Sequence, residues 1–469
     1  MRVKLDPIFN LSFITNEEKS IIIQKIVTSS IGDIKNRKKF IDMGWFGLSI
    51  ELILIYIKWS LVALFFIPVV FTVILILWNP KIKKESLLLL FGISSTQLRN
   101  ISDDDLVNFV HDSRFNFDTS NRILCETRTI LKSKSNNSKL IRTRDINIYL
   151  VSQFDLISRF ICLWYSFKSV IKYARLILLL PEVTICIKEL VFELPVSKVA
   201  IKRNLISAIA TTNSAYLKQD PIFHLVTPEI VLRSVMFWYS DNSVPKDTKA
   251  PTNYAFDDTL FDDMRVKEHF VWGESHGDYL SKHSKGKISI VGSQLFYPRK
   301  KNYYHKKDFD LLIFDVTPFK YSKEFDFYNV PRVSKFIEDI FSVLSEGFEL
   351  KLNVGIKHKR EINLKFHSPE YVDNIQMLKH DSFSITWVKS DTNLYDLISK
   401  TRLVIGIPFT SPVYVAKEMG VPSFYYLDDT TVDLPASYNG IGVIRDKNEL
   451  KSIFQEHFFR ATNENTHDR

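Results

Sequence analysis

The sequence predicts an α/β protein: two Rossmann-like domains, each on a parallel sheet, preceded by an N-terminal membrane-associated helical segment. Three observations carry this. From Lys287 onward, short apolar runs rich in β-branched residues alternate with helix-length segments, the pattern of a doubly wound sheet. Between Ile206 and Trp272, three further apolar runs each end in a polar cluster, as strands do where one sheet edge carries function. From Trp59 to Trp78 there is no charged residue, and about twenty such residues can cross a bilayer. The boundaries that follow are 1–85 for the membrane region, 86–284 for the first α/β domain and 285–469 for the second.

In chain order, the N-terminal residues carry no secretory signal. The apolar region spans about 45–78, with tryptophans suited to the membrane interfaces. Lys35, Arg37, Lys38 and Lys39 precede it and Lys81, Lys83 and Lys84 follow it, so charge does not orient a single span. A hairpin or half-buried element, broken near Gly47 or Pro68 with both flanks cytoplasmic, is slightly favoured over a simple span. Residues 86–156 read as mixed and polar, with a loop at 132–138. Arg159–Leu180 reads as a helix with Lys168, Lys172 and Arg175 on one face, either an interfacial helix on anionic lipid or a core helix with a solvated stripe. Glu182–Glu193 reads as another helix, bounded by Pro181 and Pro195.

Strands are expected at Ile206–Ala210, Val235–Tyr239 and Phe270–Trp272, then at Ile288–Val291, Leu311–Phe314, Lys351–Ile356, Ser384–Val388, Leu403–Ile407, Ser423–Leu427 and Gly442–Ile444. Helices are expected at Pro331–Glu346, Pro369–Lys379, Leu394–Ser399, Pro412–Met419 and Lys447–Phe459.

A net charge of +9 implies an anionic partner: nucleic acid, acidic lipid or a phosphate-bearing substrate. Cys125, Cys162 and Cys186 are too few for a disulfide framework or a zinc site, which suits a reducing compartment. Walker, Gly-x-Gly-x-x-Gly, His-Glu-x-x-His and paired-Cys motifs are all lacking, which argues against a kinase, a dehydrogenase or a zinc hydrolase.

The richest stretch is Arg402–Leu427. Pro408 ends an apolar strand, Thr410 and Ser411 are N-cap types, and Pro412 suits the first helical turn. Two hydroxyls are thus expected at the positive end of a helix on the carboxyl edge of a sheet, where a phosphate is the favoured guest. The strand before Lys357-His-Lys-Arg360 delivers Lys357, His358, Lys359 and Arg360 to the same edge, a crowding that an anion would relieve. Ser293 and Asp315 close two other strands. Glu274 and His276 stand where the two domains join, and by residue type are the better acid/base candidates. Asp220 and Asp241 are their rivals. The basic, aromatic run Tyr297–Lys307 has a composition that binds single strands, but no RNA-binding motif accompanies it.

Ile407-Pro-Phe-Thr-Ser-Pro412 resembles the signature of bacterial polysaccharide-biosynthesis proteins named for a Pro-Phe-Thr-Ser motif. Phe237-Trp-Tyr-Ser-Asp-Asn-Ser243, Val271-Trp-Gly-Glu274 and Phe314-Asp-Val-Thr-Pro318 are similar to stretches of the same group. The resemblance spans about Ile206–Ile444. More distantly it extends to GT-B glycosyltransferases that use CMP-activated acidic sugars, with two domains facing a cleft. There a His-Pro motif and a paired-Ser motif hold the nucleotide. Lys357–Arg360 and Thr410-Ser411 would take their places, although His358 is followed by Lys359 rather than proline and the first serine is a threonine.

The resemblance implies a membrane-associated glycosyltransferase of surface polysaccharide (O-antigen or capsule). A nucleotide sugar, CMP- or UDP-linked, would be the donor, and a glycan or lipid-linked oligosaccharide the acceptor. Ser293, Lys357, His358, Lys359, Arg360, Thr410 and Ser411 would hold the donor phosphate, with Glu274, His276 and Asp315 as catalytic candidates. No cofactor or metal is expected, because the basic cluster can neutralise the leaving group. Membrane lipids are expected partners and nucleic acid is not. The place is the cytoplasmic face of the bacterial inner membrane. A polyol-phosphate or phosphosugar transferase, or a scaffold docking other enzymes, are the alternatives.

Overall fold

In the computed structural model the described residues are 86–93, 101–126, 137–179, 186, 188–213, 232–238, 266–282, 284–295, 307–318, 327–347, 352–359, 367–376, 383–389, 392–428 and 434–464. The apolar region 45–78, Asp220, Asp241, Arg360 and most of the run 297–307 lie outside them. Among the described residues no helix is long and apolar enough to cross a membrane. Two compact units divide the chain: Met1–Phe237, Thr259–Phe270 and His283–Ser289 in one, Trp238–Asp258, Val271–Lys282 and Ile290–Arg469 in the other.

The first sheet has seven strands in the order β3-β2-β1-β4-β5-β6-β7. Its elements are β1 (Leu87–Phe91), α1 (Asp103–Val110), β2 (Arg122–Glu126), β3 (Leu140–Thr143), α2 (Ile146–Ser152), α3 (Leu156–Leu179), α4 (Leu194–Lys202), β4 (Ile206–Asn213), β5 (Arg233–Trp238) and β6 (Glu268–Val271). After α5 (Glu274–Ser281), β7 (Lys287–Ile290) joins the sheet's edge. β1 is a run of four leucines and a phenylalanine, all buried, because both faces of a parallel sheet are covered. On one face Leu87, Leu89 and Phe91 pack with Leu150 of α2, Cys162 of α3 and Val196 of α4.

Four expectations for this region are corrected. Residues 86–156 are not merely mixed and polar; they supply β1, which lies inside the sheet between β2 and β4, then β2 itself and the edge strand β3. Thr211 and Thr212 are not a polar tail. They are the last buried rungs of β4, where Thr212 donates its hydroxyl to the Phe91 carbonyl at 3.3 Å. Pro195 does not end a helix: a π turn, Glu189–Glu193, runs into α4 and places the proline in its first turn, where a missing N–H does least harm. Lys287–Ile290, read as opening the second domain, instead pairs with β6, since strand–helix alternation cannot tell which sheet a strand extends.

The second sheet runs β10-β9-β8-β11-β12-β14-β13. Its elements are β8 (Phe309–Asp315), α6 (Val330–Gly347), β9 (Leu352–His358), α7 (Pro369–Gln376), β10 (Phe383–Val388), α8 (Leu394–Ser399), β11 (Thr401–Gly406), α9 (Ser411–Glu418), β12 (Ser423–Tyr426), β13 (Ser437–Tyr438), β14 (Ile441–Ile444) and α10 (Lys447–Glu464). All pairings are parallel except β13–β14, whose two-residue turn holds Asn439 and Gly440 at φ 52° and 75°. Alternation sorts the strands' side chains. Leu311, Ile313, Ile356 and Ile405 meet α6 and α10, while Leu312, Phe314 and Val404 meet α8 and α9. β9 and β10 lie to one side of β8, and β11 and β12 to the other. The order therefore reverses between β8 and β11, the place where open α/β sheets leave a crevice at their carboxyl edge.

Candidate functional site

Asp315 ends β8 and His358 ends β9, paired in register on neighbouring strands. The Asp315 carboxylate is fully buried and collects four hydrogen bonds. Thr317 gives its N–H at 3.1 Å and its hydroxyl at 3.2 Å, His358 gives Nδ1 at 2.6 Å, and the Tyr371 hydroxyl completes the set. Burial, together with that carboxylate, pushes the Tyr371 hydroxyl's pKa up, so it stays a donor. With Nδ1–H held by the carboxylate, His358 presents Nε2, which is buried and has no hydrogen-bond partner among the described residues. The imidazole stacks on Trp387 of β10 at 5.2 Å and 8°, and the indole is 45% exposed.

The motif 408–411 follows β11, on the strand adjacent to β8. Gly406 is required here, because a Cβ would come within 2.6 Å of Val413 Cγ2 in the first turn of α9. Phe409 adopts φ 62° and is wedged between Phe327 and Tyr438, each 5.1 Å away, while Tyr328 donates to the Pro408 carbonyl at 3.1 Å. Thr317, after β8, is also left-handed at φ 55°. A β-branched and an aromatic residue in that region each carry about 1–3 kcal/mol of strain, and such strain gathers at functional turns. Both turns rest on one apolar patch: Val316 and Ile407 pack with Val333, Tyr371, Val372 and Ile375. Two strand spacings, about 10 Å, separate β9 from β11.

Several expected site residues are placed differently. Thr410 is the N-cap of α9 but its side chain caps nothing; the hydroxyl donates back to the Ile407 carbonyl. The helix head is therefore left uncapped beside the half-buried Ser411. Of the basic tetrad, Arg360 lies outside the described residues, and the other three are not brought together. Lys357 turns to the opposite face from His358 and donates to the Lys389 carbonyl at 3.2 Å, while Lys359 is exposed and its N–H bonds the Asp315 carbonyl at 2.9 Å. Asp315 holds His358 rather than facing solvent. Ser293 is buried, with its N–H on the Glu418 carboxylate at 3.0 and 3.1 Å, at the far end of α9 from Thr410. Lys307 is spent on the carbonyls of Ser399 and Thr401, each at 3.0 Å.

Glu274 is exposed at the head of α5, not buried, and His276 is buried edge-on to Trp238 at 5.0 Å. Two residues apart on a helix, they do not share a face, and neither is among the partners of Asp315. The surrounding motif is architectural. A Cβ on Gly273 would meet Asn439 Oδ1 at 2.7 Å, the atom that caps α5 by accepting the Ser275 N–H at 3.0 Å. Tyr414 of α9 donates to the Trp272 carbonyl at 2.6 Å. Sequence reasoning passed over Thr317, Tyr371 and Trp387. Of these only Thr317 had a signal, in the quoted stretch Phe314–Pro318.

Two mostly parallel sheets covered by helices, the second with its order reversing beside a strained carboxyl edge, define a Rossmann-type α/β protein. Residues 172–454 match the family of polysaccharide biosynthesis PFTS motif proteins, and the chain belongs to that family. No curated protein matches it. Among solved structures, it is similar to UDP-GlcNAc 2-epimerase from Methanocaldococcus jannaschii (12% identity, 78% of this chain and 90% of that one, TM-score 0.37). It is also similar to sucrose-phosphate synthase from Thermosynechococcus elongatus (11%, 79% and 89%, TM-score 0.43). A third is a wall teichoic acid polymerase (8%, 86% and 88%, TM-score 0.43).

Proposed function

We propose that this chain is a glycosyltransferase of surface-polysaccharide biosynthesis. It would move a sugar from a CMP- or UDP-linked donor to a glycan or lipid-linked acceptor at the cytoplasmic face of the bacterial membrane. The observation that carries the reading is the buried Nε2 of His358, without a hydrogen-bond partner among the described residues, on a ring held by a buried carboxylate at the sheet edge that also bears the strained motif turn. As the acceptor hydroxyl's oxygen bonds the anomeric carbon, its proton passes to water or to the departing phosphate, the bond from that carbon to the phosphate oxygen breaks and negative charge collects on the nucleotide. A protonated His358 donates from Nε2 to that phosphate, the uncapped head of α9 and Ser411 offer their N–H and hydroxyl, and Lys359 adds charge. Asp315 and Tyr371 keep the ring in place, and Trp387 gives the base or sugar a flat surface. These groups do the neutralising, so neither a cofactor nor a divalent metal is required, and chelators should leave activity intact.

Calorimetric titration of the full chain in detergent with a panel of UDP- and CMP-sugars tests this. At least one should bind, and His358→Gln should weaken it about 10–100-fold, the worth of one hydrogen bond to a charged group. Failure to bind any of them, or equal binding by the variant, would overturn the reading.

A further inference from the structure

Helix α3 is apolar on both sides: Ile161, Leu163, Tyr165 and Val170 pack against the core, and the outer side is apolar as well. Its buried positions include Ser158, Arg159, Cys162, Ser166 and Tyr173, whereas Leu156, Ile157, Phe160, Trp164, Phe167 and Ile171 are 46–65% exposed. At about 100° per residue, those six apolar side chains fall within roughly 100° of arc, along about 22 Å of helix. Buried Arg159 has a structural explanation: it donates to the carbonyls of Phe154 at 3.0 Å and Val151 at 3.2 Å, closing the end of α2. No core need explains the outward arc. A contiguous apolar stripe of this kind marks a surface meant to be covered.

The chemistry at its border points to what covers it. Lys168 flanks the arc with Nζ 4.8 Å over the Trp164 ring, and Lys172 follows one turn on. The 24 residues of α3 contain no Asp or Glu. Aromatic and aliphatic anchors edged by lysine, without acids, match an acidic headgroup layer over acyl chains. The uncharged run Trp59–Trp78 ends nine residues before Leu87, a tether of at most about 30 Å. Leu87 shares a core with Cys162 and Tyr173 of α3, so a bilayer holding that run would hold α3 close by.

We propose that α3 lies in the plane of an anionic bilayer, its six-residue arc at the acyl boundary and Lys168 and Lys172 at the lipid phosphates. The inference does not depend on the chemistry proposed for the second sheet. The full chain, carrying Ile157→Cys labelled with an environment-sensitive fluorophore, is placed in nanodiscs of phosphatidylcholine alone or mixed with phosphatidylglycerol. Native Cys125, Cys162 and Cys186 are buried and should escape the label. The expected result is a blue-shifted label quenched by bromine on the lipid chains, more strongly with phosphatidylglycerol. Lys168→Glu with Lys172→Glu should abolish the phosphatidylglycerol dependence. Phe160→Ser, Trp164→Ser and Phe167→Ser together should abolish the quenching while thermal unfolding stays unchanged. A label shielded without quenching and insensitive to dilution means that the chain's own segment covers α3. One shielded only at high protein concentration means a second copy does. Either result, or a label exposed to water in both discs, overturns the proposal.

Discussion

Replacing Asp315 with asparagine tests the site at its hinge. Oδ1 of the aspartate takes the Thr317 N–H, while Oδ2 takes His358 Nδ1 and the hydroxyls of Thr317 and Tyr371. Asparagine can keep only one of these oxygens. If it serves the immovable Thr317 N–H, an NH2 group then faces three donors. The two hydroxyls can rotate to accept, but the imidazole can accept at Nδ1 only by giving up the Nδ1 proton and keeping one on Nε2. Hydrogen bonds to an ionised group, each worth about 1.5–3 kcal/mol, become neutral ones of about 0.5–1.5. Allowing for non-additivity, the variant should lose about 2–4 kcal/mol, and the strained φ of Thr317 loses its restraint. Amide exchange of β8 and β9 gives the free-energy change, and ¹⁵N shifts of the His358 ring give the tautomer. A loss below about 0.5 kcal/mol, or an unchanged tautomer, would refute the reasoning.

Other substitutions probe the frame around the site. Gly406→Ala should destabilise the protein by about 1–3 kcal/mol in denaturant unfolding, and Val413→Ala added to it should recover part of that loss, because the clash is with Val413 Cγ2. Burial pushes the Cys125 and Cys162 thiols up to about 12, so both should resist iodoacetamide at neutral pH until the protein unfolds. Burial works to raise the Asp339 carboxyl, but hydrogen bonds from Tyr426, Lys335 and Lys447 outweigh it and hold its pKa below the usual value. A depressed carboxyl pKa stabilises above the unfolded value and is lost as pH falls through the folded one. Wild-type stability should therefore drop below about pH 4, and Asp339→Asn should flatten that part of the unfolding-versus-pH curve.

The second sheet was legible almost strand for strand, because buried parallel strands are unbroken apolar runs and the helices between them carry their own caps and prolines. Leu87–Phe91 was not, since a lone apolar run inside a polar stretch fits a core helix as well as a strand. Within the site, the local turn at 408–411 could be read but the direction of its hydroxyl could not, because Thr410 can either accept from a helix N–H or donate to the Ile407 carbonyl. Lys357 to Arg360 looked like one cluster in one dimension, and the pleat turns Lys357 and His358 to opposite faces. The pairing of Asp315 with His358, 43 residues apart, depends on β8 lying beside β9, which no local pattern encodes. Residue type alone promoted Glu274 and His276, and exposure of the first and burial of the second removed their common ground.

On the proposed function, the turn after β11 and the histidine that ends β9 grip one phosphate. A crystal structure of the full chain with the nucleotide sugar it binds tests this most directly. A phosphate oxygen should lie about 3 Å from His358 Nε2 and another within the same reach of the Ser411 amide. A nucleotide whose phosphates touch neither group, with His358 still enclosed, would contradict it.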